Sequence, residues 1–308
     1  MNVRSISQLF YDSLAISAWK STGETSWALR VNPSSGNLHP TEGYLIGGPI
    51  EGLCDVPMVC HYAPKEHVLE VRAEFGLGQW RKLGEGFPTD TFLLGLTSIH
   101  WREAWKYGQR AYRYCQHDVG HAIGAISIAA AGLGWQIIIL DDLGADELEL
   151  LMGTVQDHGA EREEPDVLMA VVPCVTETKK RGLPREHILA FASLDWRGTP
   201  NQLSSSHVDW GVDEVAAATR KSRGQGRYAL FRDPLTASSL DVRRVSLRKT
   251  IRQRRSAVAM DGETQIDRET FYRILQRTLA ISGTNFGASG AIVLVGGKTC
   301  DSLAHGAG

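Results

Sequence analysis

Residues 30 to 44 read Arg30-Val-Asn-Pro-Ser-Ser-Gly-Asn-Leu-His-Pro-Thr-Glu-Gly-Tyr44, and the fold turns on how they are read. Pro33 and Pro40 fix φ at two points of the stretch. Gly36 admits a close backbone approach. Ser34, Ser35 and Asn37 offer hydroxyl and amide groups, and Arg30 adds a guanidinium fork suited to an anion. The apolar run from Tyr44 to Gly48 that follows reads as a short strand. A loop of this chemistry suits a polar, partly anionic ligand. It is also the composition of an ordinary Pro/Ser/Asn turn, and residue chemistry alone leaves both readings open.

Outward from the loop, the pattern alternates. Residues 6 to 20 carry Leu9, Ser13, Ile16 and Trp19 at helical spacing and predict a helix. Val56 to Tyr62 and Thr91 to Ile99 are apolar, β-branched runs that predict strands. Gln109 to Gly132 predicts the longest helix, with Tyr114, Asp118, His121, Ala122, Ala125, Ile128 and Ala129 along one face and a stop at Gly132-Leu-Gly134. Strands are expected over 135–140 and 167–172, with a short helix over 146–152. Helices alternating with short strands predict an α+β layered domain. Residues 175 to 250 are polar and rich in Gly and Ser, which predicts surface connections. Residues 241 to 255 hold six arginines and one lysine against one aspartate, a solvated helix face or a phosphate-facing patch. A further helix is expected over 265–279, and the glycines beyond 281 repeat no second loop of the 30–44 type.

Composition narrows the classes. The chain has 308 residues, 43% hydrophobic and 22% charged, and a net charge of −2. That charge gives no global basic field for nucleic acid. No run approaches the roughly 18 apolar residues of a membrane span. The first residues lack the apolar core of a secretory signal. Five cysteines form no CxxC pair, which with the missing signal points to reduced thiols and a cytoplasmic location.

His117 and His121 stand at i and i+4 and could share a zinc ion. No clear third ligand lies nearby, so both are expected to be structural, in the middle of a buried helix, with no metal bound. Trp101, Trp105 and Trp135 are expected in the core, and His61 is expected as a loop histidine where a strand ends.

Three segments carry a family resemblance. The Arg-x-x-Pro-Ser-Ser-Gly-Asn-Leu-His-Pro-x-Glu-x-Tyr pattern of residues 30–44 resembles the flavin loop of nitroreductase-like flavoproteins, and most of all their azoline-oxidase (thiazole/oxazole dehydrogenase) branch. Trp105-Lys-Tyr-Gly-Gln-Arg-Ala-Tyr-Arg-Tyr114, leading to Gly120-His121, resembles that branch's Lys-Tyr-Gly-x-Arg-x-x-Arg-Tyr segment. Arg254-Arg255-Ser256 resembles the Arg-Arg-Ser that opens a nitroreductase module.

The resemblance implies an α+β, nitroreductase-like layered sheet with flanking helices that binds flavin mononucleotide (FMN) between two modules of a homodimer or with a partner chain. Carried over residue by residue, it implies Arg30, Ser34, Ser35, Asn37, Arg254, Arg255 and Ser256 as cofactor contacts, and Lys106 and Tyr107 as the catalytic pair. The implied reaction is two-electron hydride transfer on a small or peptide-derived substrate, with NAD(P)H or oxygen as redox partner. The implied organisation is a first module over 1–175, a connection over 176–250 and the opening of a truncated second module over 251–308. The alternative is a non-catalytic or truncated flavin-fold scaffold.

Overall fold

The computed structural model describes residues 1–276 except 156–158, 160, 175–181, 200–202, 205–207, 209, 225–244 and 258. The glycine-rich stretch beyond 281 therefore lies outside the described residues, as do 277–279 of the last expected helix. Helix α1 (Val3–Tyr11) opens the chain. Its cap is reciprocal: the Ser5 amide donates to Asn2 Oδ1 at 3.0 Å and the Asn2 amide donates to Ser5 Oγ at 3.0 Å. Donors that a helix start leaves free are thereby satisfied.

The helix ends at Tyr11 and does not run to residue 20. Ser13 Oγ donates to the Leu9 carbonyl at 2.6 Å, and the amides of Leu14 and Ala15 both reach the Phe10 carbonyl. The chain then enters a hairpin, β1 (Ile16–Ser21) against β2 (Ser26–Arg30), turning through Gly23 at φ 93°. A partner strand overrides the local helical spacing here.

The main sheet holds β3 (Thr41–Gly47), β4 (Met58–Ala63), β5 (Val68–Glu74), β6 (Phe92–Ile99), β7 (Trp135–Ile139) and β8 (Glu163–Pro173). All its pairings are antiparallel, in the order β5-β4-β3-β6-β8-β7. Helices α2 (Leu77–Leu83), α3 (His100–Tyr107), α4 (Ala111–Gly132) and α5 (Ala145–Met152) complete the packing with α6 (Arg185–Leu189) and α7 (Val212–Ala218). Strand alternation sends Leu45, Leu94 and Leu96 into a core with α1 and α4. It sends Tyr44, Ile46 and Leu93 to the opposite face, against Leu148, Leu151, Ile188 and Phe191. Every residue of β3 is buried, since β3 has a strand on each side and a core on each face. The α+β layered expectation holds.

Other expected elements shift in instructive ways. β8 starts at Glu163, because Tyr44 Oη and Thr97 Oγ1 donate to Glu163 at 2.8 and 2.6 Å and Ser98 Oγ donates to Asp166 at 2.6 Å. Leu183, Ile188 and Phe191, inside the expected connection 176–250, are buried in the second core. Further on, α8 (Leu247–Gln253) rests on the start of the chain, and α9 (Arg268–Gln276) follows. Arg252 donates to the carbonyls of Tyr11 and Ile16 at 3.0 and 2.8 Å, with its guanidinium 4.0 Å from the Tyr11 ring centroid.

A charge cluster is buried in the sheet, and it places the loop above it. Glu42 on β3 accepts from Arg102 Nη1 and, at 3.0 Å, from His61 Nε2, with Arg30 Nη2 at 3.8 Å. Burial pushes the Glu42 carboxyl up, but Arg102, then His61 and Arg30, outweigh it and hold the group at about 2. His61, buried on β4 and not in a loop, also donates Nδ1–H to Glu70 at 2.8 Å. Burial disfavours its charge, yet Glu42 and then Glu70 outweigh burial and raise its pKa.

The sign follows from linkage. The folded state holds the His61 proton more tightly than the unfolded chain, so this stabilisation is complete below the ordinary histidine value and disappears as pH rises through the raised one. Urea unfolding from about pH 6 to 9 should show falling stability that levels off at lower pH in Glu70→Gln than in the parent. The same slope in both proteins would show that His61 is not charged by this pair.

Candidate functional site

The loop after Arg30 is held at its base and its middle. Arg30 Nη1 donates to the Thr41 carbonyl at 3.0 Å, and Arg102 Nη1 to the His39 carbonyl at 3.3 Å. Asp118, buried on α4, grips the middle. It accepts from Ser34 Oγ at 2.6 Å, from the Ser35 amide at 2.9 Å and from Ser35 Oγ at 3.0 Å. Ser34 Oγ in turn accepts from the His39 amide at 2.8 Å. Asn37 Nδ2 donates to the Ala28 carbonyl at 2.8 Å, and its Oδ1 accepts from His39 Nε2 at 2.9 Å. These bonds keep Gly36, Asn37 and His39 in the left-handed region, at φ 58°, 62° and 51°. For Asn37 and His39 that conformation is costly and needs support from its surroundings.

The loop tip meets the end of α3. A Cβ on Gly36 would lie 2.9 Å from Lys106 Nζ and closer still to Tyr107 Oη. Gly36 is thus required twice, by its φ and by this approach. Lys106 Nζ lies 5.4 Å from the Tyr107 ring centroid, and Tyr107 packs edge-on against Tyr114 of α4 at 4.6 Å. Gly108, at φ 55°, ends α3 and turns the chain into α4, so one bend sets Lys106, Tyr107 and Asp118 around the loop.

Burial, then the Arg30 charge, lowers His39 to about 3, so it is neutral at physiological pH. With Nε2–H given to Asn37, its Nδ1 is a buried acceptor that receives no hydrogen bond. Burial raises the Asp118 carboxyl, and the Ser34 and Ser35 bonds offset part of that rise.

The expected site residues divide into groups. Lys106 and Tyr107 come together with Gly36. Arg30, Ser34, Ser35 and Asn37 direct the polar contacts named above into the protein, where they shape the loop. Arg254 Nη2 donates to the Val31 carbonyl at 3.3 Å, and Arg255 Nη2 to the Ser17 carbonyl at 3.4 Å, which brings both arginines to the loop's entry. Ser256 is exposed. His117 is exposed and His121 half-buried on α4, whose inward face runs through Cys115, Asp118, Val119, Ala122 and Ile126. Among the described residues no three His, Cys, Asp or Glu side chains converge as metal ligands. Trp105 is 57% exposed and therefore not a core residue, whereas Trp101 and Trp135 pack partly buried.

No family model matches the chain, and no curated protein does. Among solved structures it is similar to the crystal structure of an inferred nitroreductase from Anabaena variabilis ATCC 29413, with a TM-score of 0.59 and 19% identity over 84% of this chain. The fold is nitroreductase-like. The match takes in 53% of the Anabaena chain, so this chain spans about half the length of that protein. The Escherichia coli microcin synthetase McbBCD complex with truncated pro-MccB17 matches over 57% of this chain and 65% of that one, at 21% identity and a TM-score of 0.45. An inferred nitroreductase from Ralstonia eutropha JMP134 matches over 57% and 75%, at 16% identity and a TM-score of 0.42. At those TM-scores neither adds to the fold assignment. Among the described residues no helix is long and apolar enough to cross a membrane.

Asp118→Ala should lower stability by about 3 kcal/mol, since each hydrogen bond to a charged group is worth about 1.5–3 kcal/mol and neighbouring bonds do not add fully. Hydrogen exchange at the Ser35 amide should accelerate before the sheet opens. Unchanged exchange would show that the loop does not depend on this clamp. Gly36→Ala should cost about 1 kcal/mol or more from φ alone. It should also push Lys106 and Tyr107 away from the loop, visible as altered tyrosine fluorescence, and an unaltered spectrum would contradict the close approach.

Proposed function

We propose that the chain is an FMN-dependent oxidoreductase of the azoline-oxidase branch, in which the 30–44 loop cradles the flavin and Lys106 with Tyr107 serves the proton step. One observation carries the reading: Lys106 Nζ and Tyr107 Oη close on Gly36, so the two segments that resemble a flavin loop and a catalytic pair are brought together in space. The nitroreductase-like fold supports it. The residues also fit the group. The His39 Nδ1 acceptor, at the foot of the loop, lacks a donor of the kind a ring N–H supplies. Exposed Arg254 and Arg255 lie at the loop entry, where a phosphate would meet two guanidinium groups.

Bound FMN would supply the hydride chemistry. The chain's own residues supply the rest. Asp118 holds the loop, Gly36 lets the loop tip close on Lys106 and Tyr107, and Lys106 or Tyr107 moves the proton that accompanies hydride transfer on a small or peptide-derived substrate. NAD(P)H or oxygen would complete the redox cycle in the cytoplasm. Ser34, Ser35, Asn37 and Arg30 serve chiefly by shaping the loop. We read 1–175 as the first module and 251–308 as the opening of a second, with Arg254, Arg255 and Ser256 as its first cofactor contacts. A homodimer or partner chain would close the cleft.

The purified chain, after incubation with FMN, should show flavin absorbance at one equivalent and release FMN of the correct mass on acid denaturation. Arg254→Ala with Arg255→Ala should weaken FMN binding by about tenfold or more, since one charge-assisted bond is worth about 1.5–3 kcal/mol. A chain that stays colourless in excess FMN, or that carries one equivalent of zinc instead, would overturn the reading.

A further inference from the structure

We propose that a second site binds a small primary ammonium ion, in a cavity bounded by the start of α3, the first two turns of α4, the start of β8, α5 and the chain leaving α7. The cavity measures about 150 Å³. Its lining includes His100, Glu164 and Asp166, with Leu148, Pro165 and Ala216 as apolar surface. No residue of the 30–44 loop lines it, and neither do Lys106 and Tyr107. The proposal therefore stands whether or not the chain binds flavin.

The cations beside the cavity are already committed. Arg220 donates to Asp146 at 2.8 Å, to Glu149, and to Glu164 at 3.4 Å, and Lys221 Nζ donates to the Asp141 carbonyl. An anion entering here would have to take them from those partners. The acceptors are what stay open. His100 is only 5% exposed, and its Nδ1 has no hydrogen-bond partner. A buried polar atom left so is costly until something pairs with it. Burial, then the Arg162 charge, outweighs the pull of Asp213 and lowers the His100 pKa to about 4. The ring is therefore neutral and keeps one acceptor nitrogen.

Asp166 is the second open acceptor. It takes one bond at each oxygen, from Ser98 Oγ at 2.6 Å and from Gln116 Nε2 at 2.9 Å, and each oxygen can accept another. Glu164, two residues earlier on β8, is matched by Arg162 at 2.5 Å and by Arg220. No such ion pair reaches Asp166 among the described residues. Burial, reinforced by the Glu164 charge, outweighs its two hydrogen bonds and pushes its carboxyl up to about 7.

An ammonium ion answers each of these features. All of its N–H groups are donors, so it suits both the Asp166 oxygens and the His100 ring. Its charge supplies the cation that Asp166 lacks. The Asp213 carboxylate, which acts on His100 and Glu164 from α7, adds to the attraction. Volume limits the rest of the ligand: a cavity of ~150 Å³ admits a molecule the size of benzene, about six heavy atoms. The ligand is thus a short alkylamine whose carbons lie against Leu148, Pro165 and Ala216.

An NMR titration of the full chain with n-butylamine at about pH 8, where the probe is an ammonium ion, tests this. Saturable one-site binding is expected, with a Kd of about 1 mM or tighter and amide shifts centred on Ala145, Leu148, Glu164 and Asp166. n-Butanol has the same shape without the charge and should bind about tenfold or more weakly. Asp166→Asn, which keeps an oxygen for Ser98, should weaken n-butylamine by about tenfold or more and leave n-butanol as in the parent. His100→Phe should also weaken the amine. Absence of saturation, equal binding of amine and alcohol, or an amine affinity that Asp166→Asn leaves unchanged would overturn the proposal. Should His100→Phe fail to fold, Asp166→Asn and the alcohol comparison still decide it.

Discussion

One carboxylate organises the candidate site. Asp118 lies on a long helix whose inward face packs against the central strands, and it takes three hydrogen bonds from two adjacent serines of the loop. Because α4 is fixed by the core, those bonds transfer its rigidity to a stretch with no regular structure beyond one short turn at Ser35–Asn37. The left-handed residues Gly36, Asn37 and His39 keep their conformation inside that frame. The tip then arrives against Lys106 and Tyr107 with no space left over.

Below the loop, a second constraint works through charge. Glu42 and Arg102 are buried, and each is expensive to bury alone. Together with His61 and Arg30 they form a compensated cluster whose members come from β3, β4, α3 and the end of β2. Such a cluster adds little net stability compared with apolar packing, but it tolerates few alternative arrangements. It fixes the register at which Arg30 and Thr41 close the loop. The fold thus contains both kinds of buried acid: Glu42, matched by cations, and Glu103, left without a partner.

Much of this was legible in the sequence. The strands expected over 91–99 and 135–140 are found at Phe92–Ile99 and Trp135–Ile139, because their apolar character needs no distant partner to show it. The loop stood out through Pro33, Gly36 and Pro40, and Lys106 with Tyr107 through their neighbours in sequence. The hairpin at 16–30 was hidden, since β1 owes its shape to β2 and Ser13 can end a helix or sit inside one. β5 was hidden by Glu70, Arg72 and Glu74 at the sheet edge. The destinations of Ser34, Ser35 and Arg30 were hidden too. A serine hydroxyl looks the same whether it will meet a ligand or a carboxylate 83 positions away, and only the fold decides. Asp118 was seen as a face residue, but its partner could not be read from spacing.

The central claim is that the loop, as the protein itself shapes it, is a flavin site. A crystal structure of the chain grown with FMN tests it most directly. The expected result places the isoalloxazine ring on the loop beside Lys106 and Tyr107, with Ser34 and Ser35 still bonded to Asp118. FMN bound elsewhere, or serines released from Asp118 to hold the ligand, would contradict it.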